Sequence, residues 1–238
     1  MKYMGSKARF VKEILPIILK DRKPDQYYVE PFAGGMNAIC EVSGNRIAND
    51  INYYLIKMWE ELVKGWMPQK ISKDEYNKIK NNKNEYPNYF VGWVGFNCSY
   101  SGKWFGGFAG ETKTKIGTVR DYQYEAIKNT SKQVQKMQGV TFRNELYYQL
   151  DIPNNSIVYC DPPYEGTTQY EEEFDHEFFW DWIRNISNQG HSVFVSEYNA
   201  PPDFSCIWEK EAKSSLSANG KIGGSKISVE RLFIYNKV

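Results

Sequence analysis

Apolar positions along the chain change their period several times, and each change marks an element. Residues 7–19 space their apolar side chains three and four apart, one face of a helix, with Pro16 as a kink point inside it. Tyr27–Pro31 is a short apolar run that reads as a buried strand. It leads through Phe32–Met36 into a helical stretch, Asn37–Val42. Arg46–Ala48 reads as a second short strand ending at Asn49 and Asp50, and Ile51–Val63 as a helix. Strand, helix, strand, helix predicts a parallel sheet. From 64 to 139 the alternation stops, and helical pieces such as Lys73–Lys80 surround a glycine- and aromatic-rich loop. Strands resume at Val140–Arg143 and Ser156–Cys160, followed by a helix near His176–Ser187, a strand over His191–Ser196 and a terminal strand over Ile227–Tyr235. The pattern predicts an α/β fold: one open twisted sheet interrupted by an inserted lobe.

Composition narrows the classes available. With 238 residues, 41% of them hydrophobic, the chain suffices for one sizeable α/β domain with an insertion. No apolar run approaches the roughly 20 residues that cross a bilayer. Lys7, Arg9, Lys12 and Glu13 interrupt the first fifteen residues, unlike a signal peptide. A cytoplasmic protein that does not engage membranes is expected. Cys40, Cys98, Cys160 and Cys206 stand far apart, and His176 and His191 are the only histidines. That inventory argues against a zinc site, a disulfide framework and a histidine-activated nucleophile, so a metal-free site is expected.

The net charge of +1 conceals an asymmetry. Residues 1–63 carry 9 basic and 8 acidic side chains, residues 64–145 carry 14 and 7, and residues 146–238 carry 7 and 14. A basic middle suits a segment that meets a polyanion, although a solvated lysine-rich surface would look the same.

The tetrapeptide Asp161-Pro162-Pro163-Tyr164 directly follows the apolar strand, and ligands of open parallel sheets bind beyond the carboxyl ends of strands. Its residues suit the methylation of an aromatic exocyclic amine, whose lone pair is delocalised into the ring. Acceptors on the amine hydrogens draw the nitrogen toward a nucleophilic geometry: Asp161 supplies a carboxylate, and Pro162 a carbonyl whose direction Pro163 helps fix. Tyr164 supplies a flat face for stacking a base. A strand that merely ends in a proline turn, with a capping aspartate and a packed tyrosine, would read the same in isolation. Two neighbours tip the balance. Glu30-Pro31-Phe32-Ala33-Gly34-Gly35 follows the first strand with glycines that permit close backbone approach to a ligand. Asp50 closes the second strand, where an acid accepts hydrogen bonds from both ribose hydroxyls of an adenosine.

On these residues the chain resembles the Dam-type DNA adenine methyltransferases, phage-encoded relatives included, over nearly its whole length. Lys2-Tyr3-Met4-Gly5-Ser6-Lys7 looks like the family's opening motif, which implies cofactor roles for Tyr3 and Lys7. Glu30–Gly34 is similar to the family's E-P-F-x-G-x-G, which implies that Phe32, Gly34 and Gly35 lie against S-adenosylmethionine. Met36 stands where the pattern has its last glycine. Asn49–Asn52 resembles the segment that makes Asp50 the ribose ligand, and Asp161–Tyr164 matches the catalytic motif in full. Ser217–Gly220 and Val229–Tyr235 look like the closing segment. The motif order is that of the family's alpha group.

The resemblance implies a class I methyltransferase fold of the Rossmann-like kind, with a catalytic domain over 1–63 and 140–238 and a mainly helical recognition lobe over 64–139. It implies S-adenosylmethionine as donor, S-adenosylhomocysteine as product and double-stranded DNA as partner, with the target adenine flipped out of the helix. In the lobe, Asn97, Ser99, Tyr100 and Lys103 are implied contacts to the target site; Lys113, Lys115 and Arg120 suit phosphate contacts by their charge, or are simply solvated. Trp104 and Phe105 serve either DNA or the packing of the lobe. Tyr170, on the loop after the tetrapeptide, is a candidate for holding the extruded base, and Glu171–Glu173 reads as an exposed acidic helix start. Two alternatives remain: the same chemistry on a cytosine amine or RNA, and a DNA-binding relative that has lost catalysis.

Overall fold

The computed structural model describes residues 1–114, 117–164, 174–213 and 227–237. Its elements in chain order are α1 (Val11–Ile18), β1 (Tyr28–Glu30), β2 (Arg46–Asn49), α2 (Tyr53–Val63), α3 (Lys73–Asn81), α4 (Asn88–Asn97), β3 (Glu111–Lys113), β4 (Val119–Asp121), α5 (Tyr122–Lys136), β5 (Val140–Arg143), β6 (Ile157–Cys160), α6 (His176–Asn188), β7 (Ser192–Glu197), β8 (Phe204–Lys213) and β9 (Ile227–Tyr235). The architecture is mixed α/β, with mostly parallel central strands, as the alternating pattern predicts. Contacts group the chain into two units, Met1–Val11 with Ala33–Leu150, and Lys12–Phe32 with Asp151–Val238.

In the first unit, β2 and β5 pair in parallel, with Arg46 opposite Val140 and Asn49 opposite Arg143. Helix α2 starts where the Asn52 side chain accepts from the Leu55 amide at 3.0 Å, and it buries Leu55, Ile56, Met58, Trp59 and Leu62. Helix α4 packs on α2 so closely that a Cβ at Gly92 would lie 2.1 Å from the Tyr54 carbonyl oxygen. Asp121 caps α5 by accepting from the Tyr124 amide at 2.9 Å. Arg46 is buried, and its guanidinium donates to the carbonyls of Lys136 at 2.8 Å and Gln138 at 2.7 Å, a cation at the carboxyl end of α5.

In the second unit, β1, β6 and β7 run parallel, with Tyr28 opposite Ile157 and Ile157 opposite Ser192. Strand β9 joins β7 in antiparallel sense, Val195 opposite Phe233, and β8 joins β9 with a register shift between Cys206 and Trp208. Strands β1 and β6 are buried at every position, which is why both read as continuous rather than alternating runs. Helix α6, capped by Asp175, buries Phe179, Trp180, Trp182, Ile183 and Ile186. Pro16 sits inside α1 on its exposed side, opposite buried Ile14, Leu15 and Ile18.

Three local expectations change. Asn37–Val42 contains only a single tight turn of 3₁₀ helix, Ile39–Glu41. The 64–139 stretch holds a strand pair after all: β3 and β4 form an antiparallel hairpin with Lys113 opposite Val119. Strand β8 also escaped the pattern. Lys115, Tyr170, the Glu165–Tyr170 loop, Glu171–Glu173 and Ser217–Gly220 lie outside the described residues. Among the described residues, no helix is long and apolar enough to cross a membrane, and no group of three or more His, Cys, Asp or Glu is placed to hold a metal ion.

Candidate active site

The tetrapeptide begins one residue after β6, so the buried strand delivers Asp161 and the two prolines to its carboxyl end. Asp161 and Pro163 are half-buried, and Pro162 and Tyr164 are buried. Tyr164 is fixed on two sides. Its hydroxyl donates to Glu230 Oε2 of β9 at 3.0 Å, and its ring meets Tyr198 edge-on, with centroids 4.5 Å apart at 84°. Burial, followed by the charges of Asp161 and Glu230, pushes the Tyr164 hydroxyl well above its usual range, so it remains a donor at neutral pH. Burial and the charge of Asp161 do the same to the Cys160 thiol.

Other acids line the same strand ends. Glu30, at the end of β1, is 3% exposed and accepts from the Tyr28 hydroxyl at 2.8 Å. Glu197, at the end of β7, is equally buried and accepts from the Tyr198 amide at 2.7 Å. Phe32 is half-buried and packs edge-on against Phe179 of α6, centroids 5.8 Å apart. Glu230 is the partner of Tyr164 that sequence reasoning missed, because 66 residues separate the two.

In the first unit, the glycine turn and Asp50 come together. Asp50 is buried, and its two oxygens accept from the Gly34 amide and the Asn52 amide, each at 2.9 Å. Burial raises its pKa, and these two bonds hold it back. A carboxylate accepts about four hydrogen bonds and these use two, so a ribose diol fits the remaining capacity. The glycines serve an internal close approach: a Cβ on Gly34 would lie 2.9 Å from the Tyr3 ring, and one on Gly35 would lie 2.7 Å from the Tyr3 Cβ. Gly34 and Met36 both have positive φ, 47° and 56°. Lys7 is half-buried and donates to the Gly5 carbonyl at 3.4 Å.

The residues expected to face DNA divide into two groups. Asn97 and Ser99 are buried: Asn97 donates to Met58 Sδ at 3.3 Å, and the Ser99 hydroxyl lies 2.9 Å from the Tyr76 hydroxyl. Tyr100, Lys103, Lys113 and Arg120 are exposed. Arg120 is held bidentately by Glu125, at 2.7 and 2.9 Å, and Lys2 joins the same carboxylate at 3.1 Å. Both cations lie over the Tyr122 ring. Trp104 stacks on Tyr54 and Phe105 is 7% exposed, so both pack the unit from within.

A mixed α/β fold with D-P-P-Y at the end of a buried parallel strand points to the amino-group methyltransferases as a class. A family model of the D12 class N6 adenine-specific DNA methyltransferases matches residues 3–206, and the chain belongs to that family. It is similar to the modification methylase StsI of Streptococcus sanguinis, 26% identical over 190 residues, which cover 71% of this chain and 29% of that protein. It is also similar to the type II methyltransferase M.FokI of Planomicrobium okeanokoites, 24% identical over 210 residues, covering 77% of this chain and 31% of the relative. The chain thus spans about three tenths of the length of these relatives. Among solved structures, the putative methyltransferase yhhF from Escherichia coli aligns over 98% of this chain and 89% of its own, with TM-score 0.38 and 13% identity. SMU.472, a putative methyltransferase complexed with SAH, aligns over 100% of this chain and 55% of its own, with TM-score 0.37 and 11% identity. These two likenesses are too distant to place residues.

Proposed function

We propose that this protein transfers a methyl group from S-adenosylmethionine to the exocyclic amine of an adenine flipped out of duplex DNA. The observation that carries the reading is Asp161-Pro162-Pro163-Tyr164 at the end of buried β6, in a chain of an adenine-specific family. Asp161 and the Pro162 carbonyl accept the amine hydrogens, and Pro163 holds that carbonyl's direction. The amine nitrogen attacks the methyl carbon as its bond to sulfur breaks, and the amine proton leaves by way of Asp161. Tyr164 contributes its ring to the base. When bound, S-adenosylmethionine supplies a methyl group on a positively charged sulfur, and S-adenosylhomocysteine is released. Asp50 takes the ribose hydroxyls, while Tyr3, Lys7, Phe32, Gly34 and Gly35 form the rest of the donor's surroundings.

In this reading, residues 1–63 and 140–238 carry catalysis and 64–139 carry recognition. Tyr100 and Lys103 approach the target site, Lys113, Lys115 and Arg120 meet phosphates, and Tyr170 helps to hold the base. Asn97 and Ser99, buried residues that line one pocket with Tyr100 and Arg120, contact the target site from its floor. Extruding the base costs a few kcal/mol, which stacking and phosphate contacts offset.

The test incubates the protein with unmethylated duplex DNA and methyl-labelled donor and analyses the digested nucleosides by mass spectrometry. N6-methyladenine is expected, and Asp161→Ala should lower the rate about a hundredfold or more while donor binding persists. N4-methylcytosine as product, or undiminished transfer by the variant, would overturn the proposal.

A further inference from the structure

The glycine turn raises a question that its own residues leave open. Met36 occupies the position where the family pattern has glycine, yet its φ of 56° is the left-handed conformation that glycine adopts most readily. Its side chain is fully buried, so the residue has both a backbone that resists this conformation and a fixed packing position. Something must hold the turn in that shape.

The Met36 amide donates to the Ala33 carbonyl at 2.8 Å, and helix α5 supplies the hold on the carbonyl side. Gln133 is 7% exposed, and its Nε2 donates to the Gly35 carbonyl at 2.9 Å and to the Met36 carbonyl at 2.8 Å. Its Oε1 accepts from the Met1 amine, so every polar group of the side chain is engaged. A buried glutamine facing inward from a helix is costly unless so paired, and here both of its hydrogens are spent on two consecutive carbonyls of one turn. The first turn of the same helix carries Glu125, which binds Lys2 and Arg120. Lys2 precedes Tyr3, whose ring covers Gly34.

We infer that Gln133 is a positioning residue for the methyl donor: by clamping the carbonyls of Gly35 and Met36, it holds the turn in its donor-binding shape and replaces the conformational ease of the missing glycine. The inference rests on the donor-binding reading of the turn proposed above.

Gln133→Met keeps the length of the side chain and removes both donors to the turn, together with the acceptor of the Met1 amine. In the full chain, calorimetric affinity for S-adenosylhomocysteine should fall roughly tenfold, as the two buried hydrogen bonds to the turn are lost. KM for the donor should rise to match, with kcat and KM for DNA unchanged. A role confined to stability would lower the melting temperature and leave these constants alone. Met36→Gly provides the second arm. Glycine takes a φ of 56° without strain, so in that background the effect of Gln133→Met should shrink to about threefold or less. Should Gln133→Met fail to fold, the Gln133 side-chain amide resonances of the wild-type chain should shift on adding S-adenosylhomocysteine. A folded Gln133→Met with wild-type affinity, an equal loss with and without Met36→Gly, or amide resonances that ignore the ligand would overturn the inference. A wild-type chain that does not bind S-adenosylhomocysteine would instead overturn the reading of the turn itself.

Discussion

Tyr164 carries two separable loads, and a pair of substitutions divides them. The hydroxyl donates to Glu230 at 3.0 Å in a buried setting, while the ring is the part that the proposed mechanism offers to a base. Tyr164→Phe removes only the hydroxyl. A buried hydrogen bond to a carboxylate contributes about 2 kcal/mol, and removing its donor also leaves the acceptor less well satisfied. For a chain of this length, about 2 kcal/mol corresponds to a melting temperature roughly 4–8 °C lower. The ring's edge-on contact with Tyr198 survives, so the methylation rate at a temperature where the variant is folded should stay within a few-fold of wild type. Tyr164→Ala removes the ring as well. The stacking lost is worth about 1–3 kcal/mol per base, roughly 5- to 150-fold in rate or DNA affinity, on top of a larger stability loss from the cavity. Thermal unfolding followed by circular dichroism, paired with labelled methyl transfer at 20 °C, measures both. Equal loss of rate in the two variants would refute the division, because the hydroxyl, not the ring, would then be what the reaction needs. An unchanged melting temperature for Tyr164→Phe would show that the Glu230 contact contributes nothing.

Three further outcomes are expected. Asp50→Ala should weaken S-adenosylhomocysteine by about tenfold or more, since it removes a carboxylate that orders the turn through the Gly34 amide; calorimetry measures it, and an unchanged value would move the donor elsewhere. Glu125 is held down to about 2, chiefly by the Arg120 hydrogen bonds, so its folded-state pKa lies below the ordinary 4.5. Its contribution to stability is therefore complete above about pH 4.5 and disappears as the pH falls toward 2. Glu125→Gln should flatten that acid limb of the stability curve, modestly because the pair is exposed, and more at low salt than at high. Lys113→Gln, on the exposed β3, should weaken DNA binding about equally for all sequences and reduce the slope of log affinity against log salt by about one; an altered sequence preference with an untouched slope would assign the residue to base reading.

How much of this was legible in the sequence depended on whether burial follows from local pattern. Strands β1 and β6 were readable because they are largely apolar runs bounded by turn residues, and the acids that close them, Glu30 and Asp161, therefore stood out. Strands β3 and β4 are exposed along almost their whole length, so no alternation could reveal them. Strand β8 lies outermost on β9 and exposes Cys206, Glu209, Lys210 and Glu211, which weakens its period in the same way. Asn97 and Ser99 show the converse. Small polar residues in an aromatic loop have the composition of a reading surface, but whether they face outward depends on Tyr76, which reaches Ser99 from α3. The positioning residues were the least visible, for one physical reason. Helix α5 buries Gln123, Thr130 and Gln133, a polar stripe that periodicity assigns to solvent. Gln123 bonds both the amide and the carbonyl of Ile71, and Gln133 bonds two carbonyls of the glycine turn. A side chain that satisfies a distant backbone leaves no local mark, because its partner is a peptide group that every residue carries. A polar residue on the inward face of a helix is thus the signal available from sequence, and the identity of what it holds comes only from the fold.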